Sequence, residues 1–139
     1  MIATESAAHV VLAAAVLDAM VAHAREDAPD ECCGLLVGSA NRIDEAVRTR
    51  SLERSPNRYQ VDPAAHFALI RRLRGTDRAI IGAYHSHPRS AAEPSPSDLR
   101  EAYDSELVYV IVSLAGVEPE VRAWKIAEGV VVELRIRQA

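Results

Sequence analysis

Apolar positions in the first third of the chain change period twice. His9 to Leu12 is a short apolar run suited to a strand, after which Val16, Met20 and His23 recur at i, i+4 and i+7 with Leu17 and Val21 alongside. That spacing predicts a helix from about Ala13 to Arg25, ended by Asp27 to Asp30 with its Pro29. Cys32 to Gly38 is a continuous apolar run bounded by turn residues, the pattern of a buried strand. Ile43 to Ser51 and Arg58 to Val61 read as two further strands. Asp62-Pro63 supplies an N-cap and a first-turn proline for a helix that carries Phe67, Ile70 and Leu73 on one face and stops near Gly75. Ala79 to Tyr84 is the next strand, and Ser95 to Asp98 opens a short helix to about Asp104. Leu107 to Leu114 is β-prone, and Val121 to Ile126 with Val130 to Ile136 reads as a hairpin closed at Glu128-Gly129. The order β-α-β-β-β-α-β-α-β-β-β implies an α/β (α+β) fold, a mixed central sheet flanked by helices, in one domain spanning residues 1–139.

Composition narrows the function classes. The 139 residues are 49% apolar and 26% charged, a chain able to bury roughly 70% of its unfolded surface. Such a core needs no structural metal. A net charge of −4 argues against a nucleic-acid partner, which requires a clustered basic excess. The alanine-rich stretch from Val10 to Met20 contains Asp18 and falls short of a ~20-residue span, so no membrane partner is expected. No Lys or Arg precedes it, whereas Glu5 does, and the expected location is cytoplasmic. Cys32 and Cys33 are neighbours that cannot form an ordinary disulfide and belong to no CxxC pair, so they read as reduced, partly buried apolar residues.

The histidines carry more. In a strand residues i and i+2 share a face, so His85 and His87 aim at one point, and Pro88 places that point at a strand end. Asp98, in the first turn of a helix, is a candidate third ligand. Taken alone, Ser95-x-x-Asp98 is a helix capping box and His-x-His an ordinary strand pair. Together they are harder to obtain by chance. Glu31 precedes the buried strand; it is either a solvated carboxylate or, if that strand pairs with the one ending at His87, a group within reach of a metal-bound water.

The combination Glu31-Cys-Cys-Gly-Leu-Leu-Val-Gly38, His85-Ser-His-Pro88, six residues, then Ser95-Pro-Ser-Asp98 resembles the JAMM motif of the JAB/MPN metalloprotease family, in its free-standing bacterial and archaeal branch. Glu53 to Asp62 also resembles a stretch of bacterial members. The resemblance implies the single-domain MPN/JAMM fold, of cytidine-deaminase-like architecture, and one Zn2+ held by His85, His87 and Asp98 with water in the fourth position. Three protein ligands and an open position is also the arrangement of catalytic rather than structural zinc. The resemblance further implies Glu31 as general base turned acid, Ser95 as oxyanion donor, and cleavage after the C-terminal glycine of a ubiquitin-like or sulfur-carrier protein. The chain lacks room for the long insertions of eukaryotic deubiquitinating relatives. Two readings compete: a non-catalytic module that binds carrier tails along an exposed strand edge, and a non-haem iron enzyme using the same two-histidine, one-carboxylate set. Deaminase chemistry is excluded, because its H-x-E and P-C-x-x-C elements are absent.

Overall fold

The computed structural model describes residues 8–102 and 104–139; Met1 to Ala7 and Tyr103, which fall within the expected 1–139 span, lie outside the described residues. The chain forms β1 (His9–Leu12), α1 (Ala14–Asp27), β2 (Cys33–Ser39), β3 (Arg42–Thr49), α2 (Pro63–Leu73), β4 (Ala79–His87), α3 (Pro96–Glu101), β5 (Val108–Ser113), β6 (Glu120–Ala127) and β7 (Val130–Gln138). The expected mixed sheet with helices on it is present, and it closes on itself in the order β1-β3-β2-β4-β5-β6-β7. Parallel pairing of β7 with β1 completes the ring. No described helix is long and apolar enough to cross a membrane.

Two buried layers hold the helices. Val16, Met20 and Ala24 of α1 pack with Leu12, Leu36, Ile43, Val110 and Val112 from the strands. On another face, Leu69 and Leu73 of α2 pack against Leu35 and Val37 of β2. Fully burying side chains of this size is worth about 1.5–3 kcal/mol each.

Two expectations change. Arg58 to Val61 is not a strand of the sheet: it makes one bridge, Ser51 to Val61, and Leu52 N–H donates to the Gln60 carbonyl. Its Arg58 and Gln60 are exposed, so it has little apolar surface to bury in a ladder. Of the apolar trio on α2, only Leu73 is buried; Phe67 is 65% and Ile70 41% exposed, because the helix docks through Leu69 and Leu73 instead. Strand β4 pairs with β2 as far as His85 and with β5 as far as His87, which sets both histidines at the end of the strand.

β2 and β4 lie close at Gly34, opposite Tyr84. A Cβ there would fall 2.2 Å from the Tyr84 ring, and Tyr84 is fixed by a 2.7 Å hydrogen bond between its hydroxyl and His23 Nδ1. Overpacking of this kind costs about 1–3 kcal/mol. Gly34→Ala should lower unfolding free energy by about that amount in urea titrations; an unchanged midpoint would show that the ring has room to move.

Candidate active site

The site is assembled at the ends of β4 and α3. Strand alternation puts His85 and His87 on one face, and Tyr84 on the other, where it is buried among the α1 core residues. Pro96 at the first helical position and the Ser95 cap start α3. The capping box forms in full: Asp98 N–H donates to Ser95 Oγ at 3.0 Å and Ser95 N–H to Asp98 Oδ2 at 2.9 Å. That cap turns the Asp98 carboxylate toward β4. Capping and convergence on the histidines thus use the same carboxylate oxygen.

His85 Nε2 and His87 Nε2 each lie 3.0 Å from Asp98 Oδ2 and 3.3 Å from one another. His87 Nδ1 sits 2.7 Å from the Ala91 carbonyl. A carbonyl only accepts, so Nδ1 carries the hydrogen and neutral His87 offers a lone pair at Nε2. Two imidazole nitrogens and a carboxylate oxygen, all buried, therefore converge on a single point. A proton can bridge one pair at a time, whereas a cation satisfies all three, so the set can hold a metal ion.

The charges follow from that crowding. Burial works to raise the Asp98 pKa, yet the His85 and His87 contacts and the Ser95 amide hold it well below the usual carboxylate range. Burial lowers the pKa of His85. It acts the same way on His87, but the Asp98 and Ala91 contacts outweigh it and raise that group.

Glu31 stands beside the triad because β2 pairs antiparallel with β4, Cys33 opposite His85. Ser86, between the two histidines, extends the pairing: its hydroxyl accepts from Cys32 N–H at 2.8 Å and its N–H donates to the Cys32 carbonyl. The next residue, Glu31, donates its N–H to the Ser55 carbonyl. Its side chain is buried, 5% exposed, and Oε1 has no hydrogen-bond partner among the described residues. Burial, helped by the negative charges of Asp98 and Glu101, raises its pKa to about 8 although His87 opposes the shift.

Some neighbours had no single-residue signal in the sequence. Tyr59 stacks on His85, ring centroids 4.3 Å apart; only the likeness of the Glu53 to Asp62 stretch to bacterial relatives pointed to it. Ser86 was visible merely as the residue between two ligands. Cys32 and Cys33 are fully rather than partly buried, Cys32 pushed up to about 12 by burial and Cys33 also raised, so both stay thiols, and the converging group is His85, His87 and Asp98 without them.

The chain matches the family model of prokaryotic homologs of the JAB domain over residues 13–127. It is similar to the CysO-cysteine peptidase of Mycobacterium tuberculosis, 36% identical over 126 residues covering 88% of this chain and 86% of that protein. The desampylase of Haloferax volcanii is 33% identical over 112 residues, 76% of this chain and 81% of that one. Among solved structures, a protein of Desulfitobacterium hafniense superposes with a TM-score of 0.85 at 31% identity, covering 94% of this chain and 92% of its own.

Glu31 also links the site to stability. Without metal, the folded protein keeps the Glu31 proton up to about pH 8, whereas the unfolded chain releases it near the ordinary 4.5. Stability is therefore lost as pH rises between those values. Glu31→Gln removes that loss, so in chelator-treated protein its advantage over wild type should grow from near zero at pH 4.5 to about 3–5 kcal/mol by pH 8. Urea unfolding at both pH values measures it, and a pH-independent difference would contradict a buried, proton-holding Glu31.

Proposed function

The chain belongs to the family of prokaryotic JAB-domain homologs and is a JAMM-type peptidase, and on that footing we propose that it hydrolyses the amide bond following the C-terminal glycine of a ubiquitin-like or sulfur-carrier protein. The observation that carries the mechanism is the buried Glu31 oxygen, without a partner among the described residues, just before the strand next to three side chains converging on one point. An unpaired buried acceptor costs stability. A reacting water supplies the partner it lacks.

His85, His87 and Asp98 would hold one zinc ion, two nitrogens and one oxygen with a position left for substrate or water, the open set of catalytic zinc. When bound, zinc polarises the scissile carbonyl and makes a nearby water acidic near neutral pH. Glu31 takes the proton from the attacking water and returns it to the leaving amine; the raised proton affinity of its buried carboxylate suits both transfers. Ser95 accepts the Asp98 amide through Oγ, leaving its own hydroxyl proton to donate to the oxyanion formed at the carbonyl.

Tyr59, Val61, Ala83 and Tyr109 border a cavity of about 260 Å³, on the side where Tyr59 stacks against His85. An extended carrier tail approaching His85 from that side would lie along this cavity. Relatives named CysO-cysteine peptidase and desampylase support a small carrier protein as the acyl partner.

Two outcomes test this reading. Glu31→Gln should retain zinc yet slow cleavage of carrier fusions by about 10²–10⁴-fold, with products identified by mass; near wild-type turnover would remove Glu31 from the proton path. Chelation should abolish cleavage while circular dichroism shows an intact fold. Unfolding at the same chelator concentration would instead make the metal structural.

A further inference from the structure

The loop from Pro88 to Pro94 joins His87 to the cap of α3, and it is pinned at successive positions from β5 and β6. Ser113 Oγ donates to the Ser90 carbonyl at 2.6 Å. Trp124 Nε1 donates to the Ala92 carbonyl at 2.9 Å. Between these two carbonyls lies that of Ala91, which accepts from His87 Nδ1 at 2.7 Å. Arg122, with its guanidinium 4.9 Å from the Trp124 ring, adds an ion pair to Glu93 at 3.2 Å. Ala92 is fully buried against Tyr109, Ile111 and Trp124.

We propose that Trp124 and Ser113 are positioning residues of the metal centre: by fixing the carbonyls on either side of Ala91, they hold the Ala91 carbonyl on His87 Nδ1 and so keep Nε2 of His87 turned to the metal. The inference rests on the reading of His87 as a metal ligand. Its physical basis is that a carbonyl acceptor on the far nitrogen of a ligating imidazole sets both tautomer and ring orientation. A loop carbonyl can do this only if the loop is held. Here two side-chain donors from strands, rather than the loop's own backbone, hold it. Trp124 therefore has two parts, a ring that fills the core beside Ile126 and an N–H that steadies the loop.

Zinc affinity separates those parts. Trp124→Phe keeps an aromatic ring and removes the donor; Ser113→Ala removes the other. Each variant is loaded with zinc in competition with a chromophoric chelator, and the cobalt-substituted form is examined by visible absorption. The expected result is a loss of zinc affinity of about tenfold in each, the low end for groups that orient a metal-binding histidine, with altered cobalt bands and a larger loss in the double variant. Leu134→Ala, a core truncation in the separate α1 layer, should lower stability without changing either readout. Folded Trp124→Phe and Ser113→Ala proteins with wild-type zinc affinity and cobalt spectra would overturn the proposal, as would an equal loss in Leu134→Ala. If Trp124→Phe fails to fold, Ser113→Ala alone decides it. A wild-type protein that binds no zinc would instead overturn the ligand reading, and this inference with it.

Discussion

Three buried side chains, His85, His87 and Asp98, bring two nitrogens and an oxygen within 3.0–3.3 Å of one another, and the rest of the site is arranged around that convergence. Without a cation, one Asp98 oxygen serves the Ser95 amide and both imidazoles. With a cation, the same geometry is a ligand set. The fold sustains it because each side chain is fixed from outside the triad: His87 by the Ala91 carbonyl, Asp98 by the Ser95 amide, and His85 by the Tyr59 ring.

Burial sets the proton affinity of Glu31. The β2 to β4 pairing that brings Glu31 beside the triad also removes it from water, and this desolvation raises its proton affinity. A solvated glutamate on the same loop would be a much weaker proton acceptor near neutral pH. Ser86 links the two arms at this point, because its hydroxyl and amide both bond to Cys32, one residue from Glu31. Glu31 and the two histidines are therefore held in register by sheet hydrogen bonds, while Asp98 is brought to them by the α3 cap.

Much of this was legible in local sequence pattern. Alternation along a strand placed His85 and His87 together, and the capping-box spacing located Asp98 on the first turn of α3, where the structure has it. The conditional reading of Glu31 depended on which strand lies next to β2, and that neighbour is β4. What escaped was non-local. Closure of the sheet joins β1 to β7 at opposite ends of the chain, a pairing with no signature in either segment. The apolar trio on α2 misled because helical periodicity marks a face without saying what covers it; Leu69 and Leu73 met β2, leaving Phe67 outside. Trp124 reads in sequence as core packing, and its hydrogen bond to Ala92 depends on a contact across 32 residues.

The central claim concerns the atoms that surround a bound metal, and zinc K-edge X-ray absorption of the zinc-loaded protein tests it most directly. The predicted first shell holds only nitrogen and oxygen, with outer-shell scattering from two imidazoles, one each from His85 and His87. A sulfur shell from Cys32 or Cys33, or a shell without imidazole scattering, would contradict the account.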